Sequence, residues 1–512
     1  MPLRLFYRDA DVSSVGAKSG FVLFDAGRQE ATRVELYNDG NQDEKFPPIG
    51  EDNVESPPSP WAADELGDQG VSQIATVEEE ETTGIFPPQP QTLAETGLSL
   101  AFLTDLALKT IHYAGLPSAT HVTERMALPS GIVQQLLALL ADDHLCEVAS
   151  SSNMMVGNYR YRLTANGINR VRDALERSRY AGPAPVTIDQ YIKVMERQRG
   201  QRPQPSRQSI EEALSELVLA PEAADALART LHSGRCALLY GPSGNGKTSV
   251  LEAFARHLEG EMLVPFAIYA YGHIIRVFDS SVHIPVKEKG KAELSAVDTR
   301  ESGEKSKRDE RWQTVRRPAV IVGGELGEES LELAYDPVSR FYQAPSHLKA
   351  QGGMLAVDDF GRQRIRPEDL LSRWLTPLER GCYSLTFHTG EKISVPFDVH
   401  LLFATNLKVE LLLDQPFLRR ILYKVEVPNP GPDEFREILR RACQKRSMTA
   451  TEETFDYVVG RLYEENSHKT RASYACDLLD IVAQSAKYDD TEPVLTPETF
   501  DKAHRLFIPE QA

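Results

Sequence analysis

Leu238-Leu239-Tyr240-Gly241-Pro242-Ser243-Gly244-Asn245-Gly246-Lys247-Thr248 decides the fold, because this stretch carries the pattern G-x-x-x-x-G-K-[ST] without a mismatch. Its glycines let the backbone fold around an anion, and a helix that begins near Gly246 directs the positive end of its dipole to the same place. Lys247 has the reach for the outer phosphates of a nucleotide, and the Thr248 hydroxyl can bind magnesium. The predicted contact residues form one continuous run: Gly241, Pro242, Ser243, Gly244, Asn245, Gly246, Lys247, Thr248 and Ser249.

The flanks of this loop have the composition that a phosphate-binding loop needs. Residues 236–240 form a short apolar run that suits a buried parallel strand. Residues 249–258 place four apolar side chains on one helical face, namely Val250, Leu251, Phe254 and Leu258. Strand, loop and helix therefore follow in the required order, which favours a phosphate site over a simple Gly-rich turn.

Composition excludes several classes of protein. A chain of 512 residues is long enough for two or three domains, and its net charge of -18 argues against nonspecific binding of polyanions. The five cysteines are widely spaced and form no C-x-x-C pair, which suits reduced thiols. No apolar run approaches the length of a membrane span, and residues 1–20 lack a signal-peptide core, so we expect a cytoplasmic protein.

The N-terminal region divides into two parts. Residues 1–39 contain two strand-like runs and are either a small β element or an arm that becomes ordered on a partner. Residues 40–92 are rich in proline and acidic side chains, with twelve Asp and Glu against one basic residue between positions 41 and 82. Such a segment cannot bury enough apolar surface to fold, so we predict a disordered acidic linker, with a partner-docking tail as the alternative.

Residues 93–182 show the pattern of three helices followed by a hairpin and a fourth helix. This order resembles the winged helix-turn-helix domains of bacterial regulators. The third helix would enter the major groove in such a domain, yet it contains no Lys or Arg and ends in Asp142-Asp143. We therefore favour protein docking or a structural role over nucleic acid, although Arg160 and Arg162 in the wing keep DNA open as an alternative. Residues 183–207 are predicted as a helix and a linker.

A second motif lies downstream, where the apolar run 354–357 ends in Asp358 and Asp359. Two carboxylates at the end of a strand could form an ordinary turn, but with a phosphate loop in the same chain they suit nucleotide hydrolysis. Asp358 would hold the magnesium shell, and Asp359 would polarise the attacking water. This order of motifs resembles the AAA+ superfamily of ATPases, in which most members carry Glu at the second position.

The resemblance implies roles for four further residues. Asn406 follows the buried run 399–405 and matches the sensor-1 position, whose neutral amide binds water and the γ-phosphate. Arg419 and Arg420 resemble the arginine finger that acts on the neighbouring subunit, with pairing inside their own chain as the alternative. Arg471 is the candidate for sensor 2 in a helical lid, although it could equally be a surface arginine.

Two further features refine this resemblance. Residues 383–396 alternate around a polar turn directly before the sensor-1 run, as does the pre-sensor-1 hairpin of MoxR-type and magnesium-chelatase-like ATPases. Residues 287–311 form a charged insertion that we expect to be mobile. Tyr271 follows the second predicted strand, where ring translocases place an aromatic pore residue, but it could also belong to a hairpin turn.

The predicted fold is thus an α/β P-loop NTPase (AAA+) core at residues 208–428 with an all-helical lid at 429–512, preceded by a winged helix-turn-helix domain and a disordered acidic segment. The resemblance implies ATP and Mg²⁺ as ligands, a homo-oligomeric ring that is hexameric by analogy, and a protein client that the ring remodels. The alternatives are a DNA-acting NTPase and a slow nucleotide-gated scaffold, the latter because Asp359 replaces the usual Glu.

Overall fold

A computed structural model describes residues 21–24, 31–34, 86–149, 159–199, 203–286, 308–412, 415–466 and 470–507. The chain divides into two compact units, Met1–Glu79 and Glu80–Ala512. In the first unit, strands β1 (Phe21–Phe24) and β2 (Ala31–Val34) pair antiparallel. Most of the predicted acidic linker lies outside the described residues.

The second unit contains the remaining helices and strands. Short 3-10 turns occur at Ala94–Thr96 and Glu328–Leu331. The α-helices are α1 (Leu100–Ala114), α2 (Ala119–Met126), α3 (Ser130–Asp142), α4 (Ala165–Arg177), α5 (Ile188–Arg199), α6 (Arg207–Ser215), α7 (Pro221–Ser233), α8 (Lys247–Arg256), α9 (Ser346–Lys349), α10 (Pro367–Arg380), α11 (Val409–Leu412), α12 (Gln415–Arg420), α13 (Pro432–Lys445), α14 (Glu452–Asn466), α15 (Ser473–Tyr488) and α16 (Pro497–Phe507). The strands are β3 (Cys146–Ala149), β4 (Arg160–Leu163), β5 (Val186–Thr187), β6 (Ala237–Tyr240), β7 (Glu261–Pro265), β8 (Ala267–Ala270), β9 (His273–Arg276), β10 (Trp312–Arg316), β11 (Ala319–Val322), β12 (Ala334–Asp336), β13 (Phe341–Gln343), β14 (Met354–Val357), β15 (Cys382–Thr386), β16 (Lys392–Pro396), β17 (His400–Thr405) and β18 (Tyr423–Glu426).

The N-terminal module consists of α1 to α4 and the antiparallel pair β3–β4. Ser99, Ser118 and Thr164 cap three of its helices by accepting N–H bonds from the first turn, which explains where these helices begin. Leu106 and Leu136 are fully buried in its core. The order of elements is the predicted one, and the winged-helix interpretation of that order stays a prediction.

A five-stranded sheet carries the phosphate loop, and we call it the nucleotide sheet. Its strand order is β11-β14-β17-β6-β18, and every neighbouring pair is parallel. The strands β14 and β17 are buried along their whole length, as the apolar runs predicted. Because parallel strands end at the same edge, the loops that follow β6, β14 and β17 come together there.

A second five-stranded sheet was not predicted. Its order is β12-β13-β9-β8-β5, with both parallel and antiparallel pairs, and its strands come from three separate parts of the chain. Of the two interpretations of Tyr271, the hairpin turn is confirmed, because β8 and β9 pair antiparallel on either side of it. Tyr271 lies in the tight turn between β8 and β9, where its φ is 49° and its side chain is 63% exposed.

Helix α5 is tied firmly to this part of the molecule. The side chain of Gln198 accepts a bond from the backbone N–H of Leu263 and donates to its carbonyl, while Tyr191 is buried in the main core. The predicted helix in residues 183–207 is thus present and packs closely against the second sheet and its neighbours.

Residues 86–92, predicted as the end of the disordered linker, are ordered instead. The guanidinium of Arg308 lies 3.7 Å from the centre of the Phe86 ring, and the backbone N–H of Asp309 donates to the Pro87 carbonyl. This segment is fixed because it packs on the far end of the charged insertion. The rest of that insertion, residues 287–307, lies outside the described residues.

The chain ends in four helices, α13 to α16, that bury their own apolar cluster around Phe435 and Leu479. Strands β15 and β16 pair antiparallel directly before β17, which confirms the predicted hairpin. None of the helices in the described ranges has the length and apolar character needed to cross a membrane.

Candidate functional site

The phosphate loop links β6 to α8 at the carboxyl edge of the nucleotide sheet. Gly241, Gly244 and Gly246 all have positive φ, at 142°, 84° and 83°, a region that side chains disfavour. Gly241 also lies so close to the chain leaving β18 that a Cβ there would stand 2.2 Å from the Val427 carbonyl oxygen. The loop therefore depends on its glycines for both conformation and space.

Lys247 and Thr248 open helix α8 and point in different directions. The Lys247 Nζ donates to the carbonyls of Gly241 and Pro242, at 3.0 and 2.7 Å. The Thr248 hydroxyl donates to the Asp358 carboxylate at 2.6 Å. This contact joins the loop after β6 to the loop after β14, so the two motifs found far apart in the sequence meet at one edge of the sheet.

The electrostatics of the site centre on the buried ammonium of Lys247. Burial lowers the pKa of Lys247, and the nearby carboxylates of Asp358 and Asp359 oppose that shift by favouring the charged form. Both acidic side chains are thus within electrostatic reach of the lysine. A cation beside two carboxylates and several backbone N–H groups is an arrangement suited to a magnesium-bound phosphate chain.

The turn that follows β14 has a left-handed residue. Asp359 has a φ of 48°, a conformation that aspartate adopts more readily than most residues with a side chain. The side chain of Gln363 donates to the carbonyls of Asp358 and Asp359, at 2.9 and 3.2 Å, and accepts from the Gly361 N–H at 2.8 Å. The backbone on both sides of Asp359 is therefore held by one amide side chain.

Asn406 is brought to the same edge by β17. Thr405 pairs in register with Tyr240, the last residue of β6, so Asn406 leaves the sheet beside the start of the phosphate loop. The buried Thr405 hydroxyl donates to the Phe360 carbonyl at 2.7 Å and accepts from the Leu407 N–H at 3.1 Å. The loop that carries Asn406 is therefore bonded to the loop that carries Asp359.

The helical lid contacts the phosphate loop through the start of α15. The backbone N–H of Ser473 donates to the Gly244 carbonyl at 2.8 Å, and that of Ala472 donates to the Asn245 side chain at 3.2 Å. Asn245 also donates to the Asn429 side chain at 2.8 Å. Arg471 is exposed and directly precedes these contacts, so the structure places it beside the phosphate loop.

A very small cavity of about 20 Å³ lies next to Asn245. Its walls come from the segment before α7, the chain leaving β18 and the lid, and they include Leu219, Val427, Pro428 and Ile438.

Arg419 and Arg420 are not brought to this site. They stand just before β18, whose first residue pairs with the first residue of β6, so they approach the opposite edge of the sheet. Arg420 pairs with Glu379 of its own chain at 3.3 Å, and both side chains are about half exposed. Arg419 is exposed.

Gln363 and Thr405 were missed by the sequence interpretation. Gln363 follows the acidic pair in a polar stretch where no spacing marks it. Thr405 ends an apolar run, and a hydroxyl at the carboxyl end of a buried strand is the one signal that could have indicated a hydrogen-bonding role.

Comparison with known families identifies part of the chain. Residues 222–387 match the family model described as AAA ATPase domain, and residues 431–506 match a domain of unknown function (DUF8689). The first match contains the phosphate loop and the acidic pair, and the second covers most of the lid. The prediction of an AAA+ P-loop ATPase core is thereby confirmed. No curated protein matches the chain at a significant level.

Solved structures with a similar core have low overall similarity. A point mutant of RuvB from Thermotoga maritima is 16% identical over 60% of this chain and 73% of its own, with a TM-score of 0.30. NtrX from Brucella abortus in complex with ATP is 14% identical over 73% of this chain and 76% of its own, with a TM-score of 0.35. Similarity of this size carries no argument about function.

Proposed function

We propose that the protein binds ATP with Mg²⁺, hydrolyses it, and uses the change of nucleotide state to remodel a protein partner as a ring oligomer. The observation that carries this proposal is the 2.6 Å hydrogen bond between Thr248 and Asp358, which joins the two nucleotide motifs beside Lys247. The AAA ATPase domain match over the same residues supports it.

The donor set at this bond fits magnesium. Mg²⁺ is usually held by one or two carboxylates together with phosphates and water, and Thr248 and Asp358 would supply one hydroxyl and one carboxylate. Within the described ranges, no three His, Cys, Asp or Glu side chains are grouped so that they could hold a metal ion. When bound, the ion would neutralise charge on the phosphates.

The chain's own residues would each make one contribution to hydrolysis. Lys247 would exchange its carbonyl partners for phosphate oxygens, since both are acceptors for the same ammonium group. Asp359 would accept a proton from the attacking water while the water oxygen bonds to the γ-phosphorus and the bond between that phosphorus and the ADP oxygen breaks. Asn406 would orient that water, and Arg471 would contact the phosphates from the lid.

Ring assembly is supported by the position of the two candidate finger arginines, which lie away from the phosphate loop of their own chain. Arg419 and Arg420 precede the start of β18, which lies at the edge of the sheet opposite the phosphate loop of their own chain. A neighbouring copy would supply the positive charge that phosphoryl transfer requires. We infer a homo-oligomeric, hexameric ring on this ground and on the resemblance to AAA+ proteins.

The N-terminal module would serve protein docking within this scheme. Helix α3 carries no Lys or Arg, and three arginines elsewhere in the module are engaged in ion pairs. Arg162 of the wing pairs with Glu147, while Arg170 and Arg177 both pair with Asp105. Helix α3 therefore has no positive charge to place against phosphates in the major groove, so a protein client is favoured over nucleic acid.

Asp359→Asn tests the proposed hydrolysis most selectively. The amide keeps the size of the side chain but accepts a proton far less readily, so we expect ATP hydrolysis to fall at least ~100-fold while ATP still binds. The measurements are phosphate release and equilibrium ATP binding on purified full-length protein with Mg²⁺. Unchanged turnover in this variant would contradict the role of Asp359, and no turnover in the wild-type protein would support the slow scaffold instead.

A further inference from the structure

The acidic pair is held by a network that reaches three neighbouring strand ends. The Nε2 of Gln363 donates to the carbonyls of Asp358 and Asp359 after β14, and lies 3.4 Å from the carbonyl of Gly323 after β11. Its Oε1 accepts from the N–H of Gly361. The side chain of Gln363 thus bonds to the backbone before Asp359, at Asp358, and to the backbone after it, at Gly361.

The same turn is closed on its other side by β17. The N–H of Phe360 donates to the Ala404 carbonyl at 2.7 Å, and the Thr405 hydroxyl donates to the Phe360 carbonyl. Gly361 has a φ of 100°, and a Cβ there would come within 2.5 Å of Leu412. The backbone after Asp359 is therefore confined from both sides, and the side chain of Gln363 supplies the hydrogen bonds on one of them.

Confinement matters here because Asp359 has a left-handed backbone. Aspartate tolerates this conformation better than most residues but also adopts negative φ, so the bonds around Asp359 decide which conformation it keeps. An aspartate carboxylate is attached one methylene closer to the backbone than a glutamate carboxylate, so its position follows the backbone directly. A change of φ at Asp359 would move the carboxylate away from the lysine that it now influences.

We infer that Gln363 is a positioning residue for hydrolysis, which keeps the carboxylate of Asp359 aimed at the attacking water by holding the backbone on both sides of it. This inference rests on the proposed ATPase function and deepens it. It makes the rate of hydrolysis depend on a side chain that acts through Asp359 and not through a contact of its own with the nucleotide or the metal.

The test is Gln363→Met in the full-length protein, a change that keeps the length of the side chain and removes its hydrogen bonds to the turn. Loss of such a supporting contact commonly lowers activity ~10- to 100-fold, so kcat should fall by that factor. The equilibrium Kd for ATP should change less than about twofold, because Lys247 and Thr248 are untouched.

Gln351→Met is the matched control. Gln351 is buried and also accepts a backbone N–H bond, from Asp398, but it lies before the first residue of the same strand, β14. Both variants should unfold at similar temperatures, and only Gln363→Met should lose turnover. A second variant, Gln363→Glu, keeps the bond from the Gly361 N–H and replaces the Nε2 donor by a carboxylate oxygen, so it should lose turnover as well.

Combination with Asp359→Asn separates positioning from general damage. If Gln363 acts through Asp359, the double variant Asp359→Asn/Gln363→Met should hydrolyse ATP no more slowly than Asp359→Asn alone. Normal kcat in Gln363→Met, an equal loss of ATP affinity and kcat, or a full further loss in the double variant would each overturn the inference. Failure of the proposed function is distinguishable, because then the wild-type protein itself would not hydrolyse ATP.

Discussion

The two five-stranded sheets of this protein use polar side chains in opposite ways. At the edge of the nucleotide sheet, Thr248 and Asp358 are bonded to each other and remain accessible. Next to the second sheet, Arg311 and Asp309 form an ion pair in which each side chain is only 2% exposed. Accessible polar groups can exchange their partners for a ligand, whereas sealed ones can only hold the fold together.

The sealed pair connects several segments that are distant in sequence. Arg311 donates to both Asp309 carboxylate oxygens and to the carbonyls of Thr96 and Pro185. It therefore joins the N-terminal module, the approach to β5 and the end of the charged insertion. Mutations beside the second sheet should therefore lower the free energy of unfolding, whereas mutations at the edge of the nucleotide sheet should lower nucleotide affinity.

The largest effect on stability is expected for Arg311→Met. The change leaves the Asp309 carboxylate buried without its counter-charge, which costs about 3–5 kcal/mol. Chemical unfolding of the full-length protein should show this loss, while the ATP affinity of the remaining folded protein should stay unchanged because the nucleotide sheet is not touched.

A matched control is Arg162→Met, which removes an arginine from a pair whose side chains are 65% and 50% exposed. An exposed pair contributes at most about 1 kcal/mol. The double variant Asp309→Leu/Arg311→Met should recover much of the stability lost in Arg311→Met. Equal losses for Arg311→Met and Arg162→Met would contradict the distinction between sealed and accessible pairs.

A smaller effect is expected from His347, on helix α9 between β13 of the second sheet and β14 of the nucleotide sheet. Burial lowers the pKa of His347 to about 3, with a further contribution from Arg373. Its ring packs against Tyr383 and Phe397, and neither ring nitrogen has a hydrogen-bond partner among the residues that the structure describes. This histidine is therefore neutral in the folded protein at ordinary pH.

Because the folded pKa of His347 lies below the unfolded value of about 6.5, protons bind preferentially to the unfolded chain. Its contribution to stability is complete above pH ~6.5 and is lost as pH falls, by up to ~1.4 kcal/mol per pH unit. His347→Phe should flatten the dependence of unfolding free energy on pH between about 6.5 and 4. Identical slopes in wild type and His347→Phe would refute the buried neutral state.

The nucleotide sheet could be predicted from sequence because its chemistry depends on short local patterns. The phosphate loop needs glycines at fixed spacing, and Asp358 and Asp359 follow a short apolar run that is typical of a buried strand. Pairing of parallel strands then brings separate motifs to one edge without any further information. Asn406 could be placed for the same reason, since it ends another such run.

The second sheet could not be predicted, because β5 has two residues and its partners lie far along the chain. The order of residues 86–92 depends on contacts with Arg308 and Asp309, which no local composition reveals. Gln363 was missed for a similar reason. Its role depends on the left-handed backbone of Asp359, four positions earlier, and the spacing of residues in a sequence does not predict the backbone conformation of a single aspartate.

Equilibrium binding of ATP with Mg²⁺ to wild-type protein and to Lys247→Ala tests the central claim most directly. Removing a partly buried ammonium that faces the phosphates should weaken binding at least ~100-fold, which corresponds to about 2.7 kcal/mol. Thermal unfolding without nucleotide should stay close to wild type, since the hydrogen bonds of Lys247 to the described residues go to carbonyls of its own loop. The same ATP affinity in both proteins would contradict the assignment of this loop as the nucleotide site.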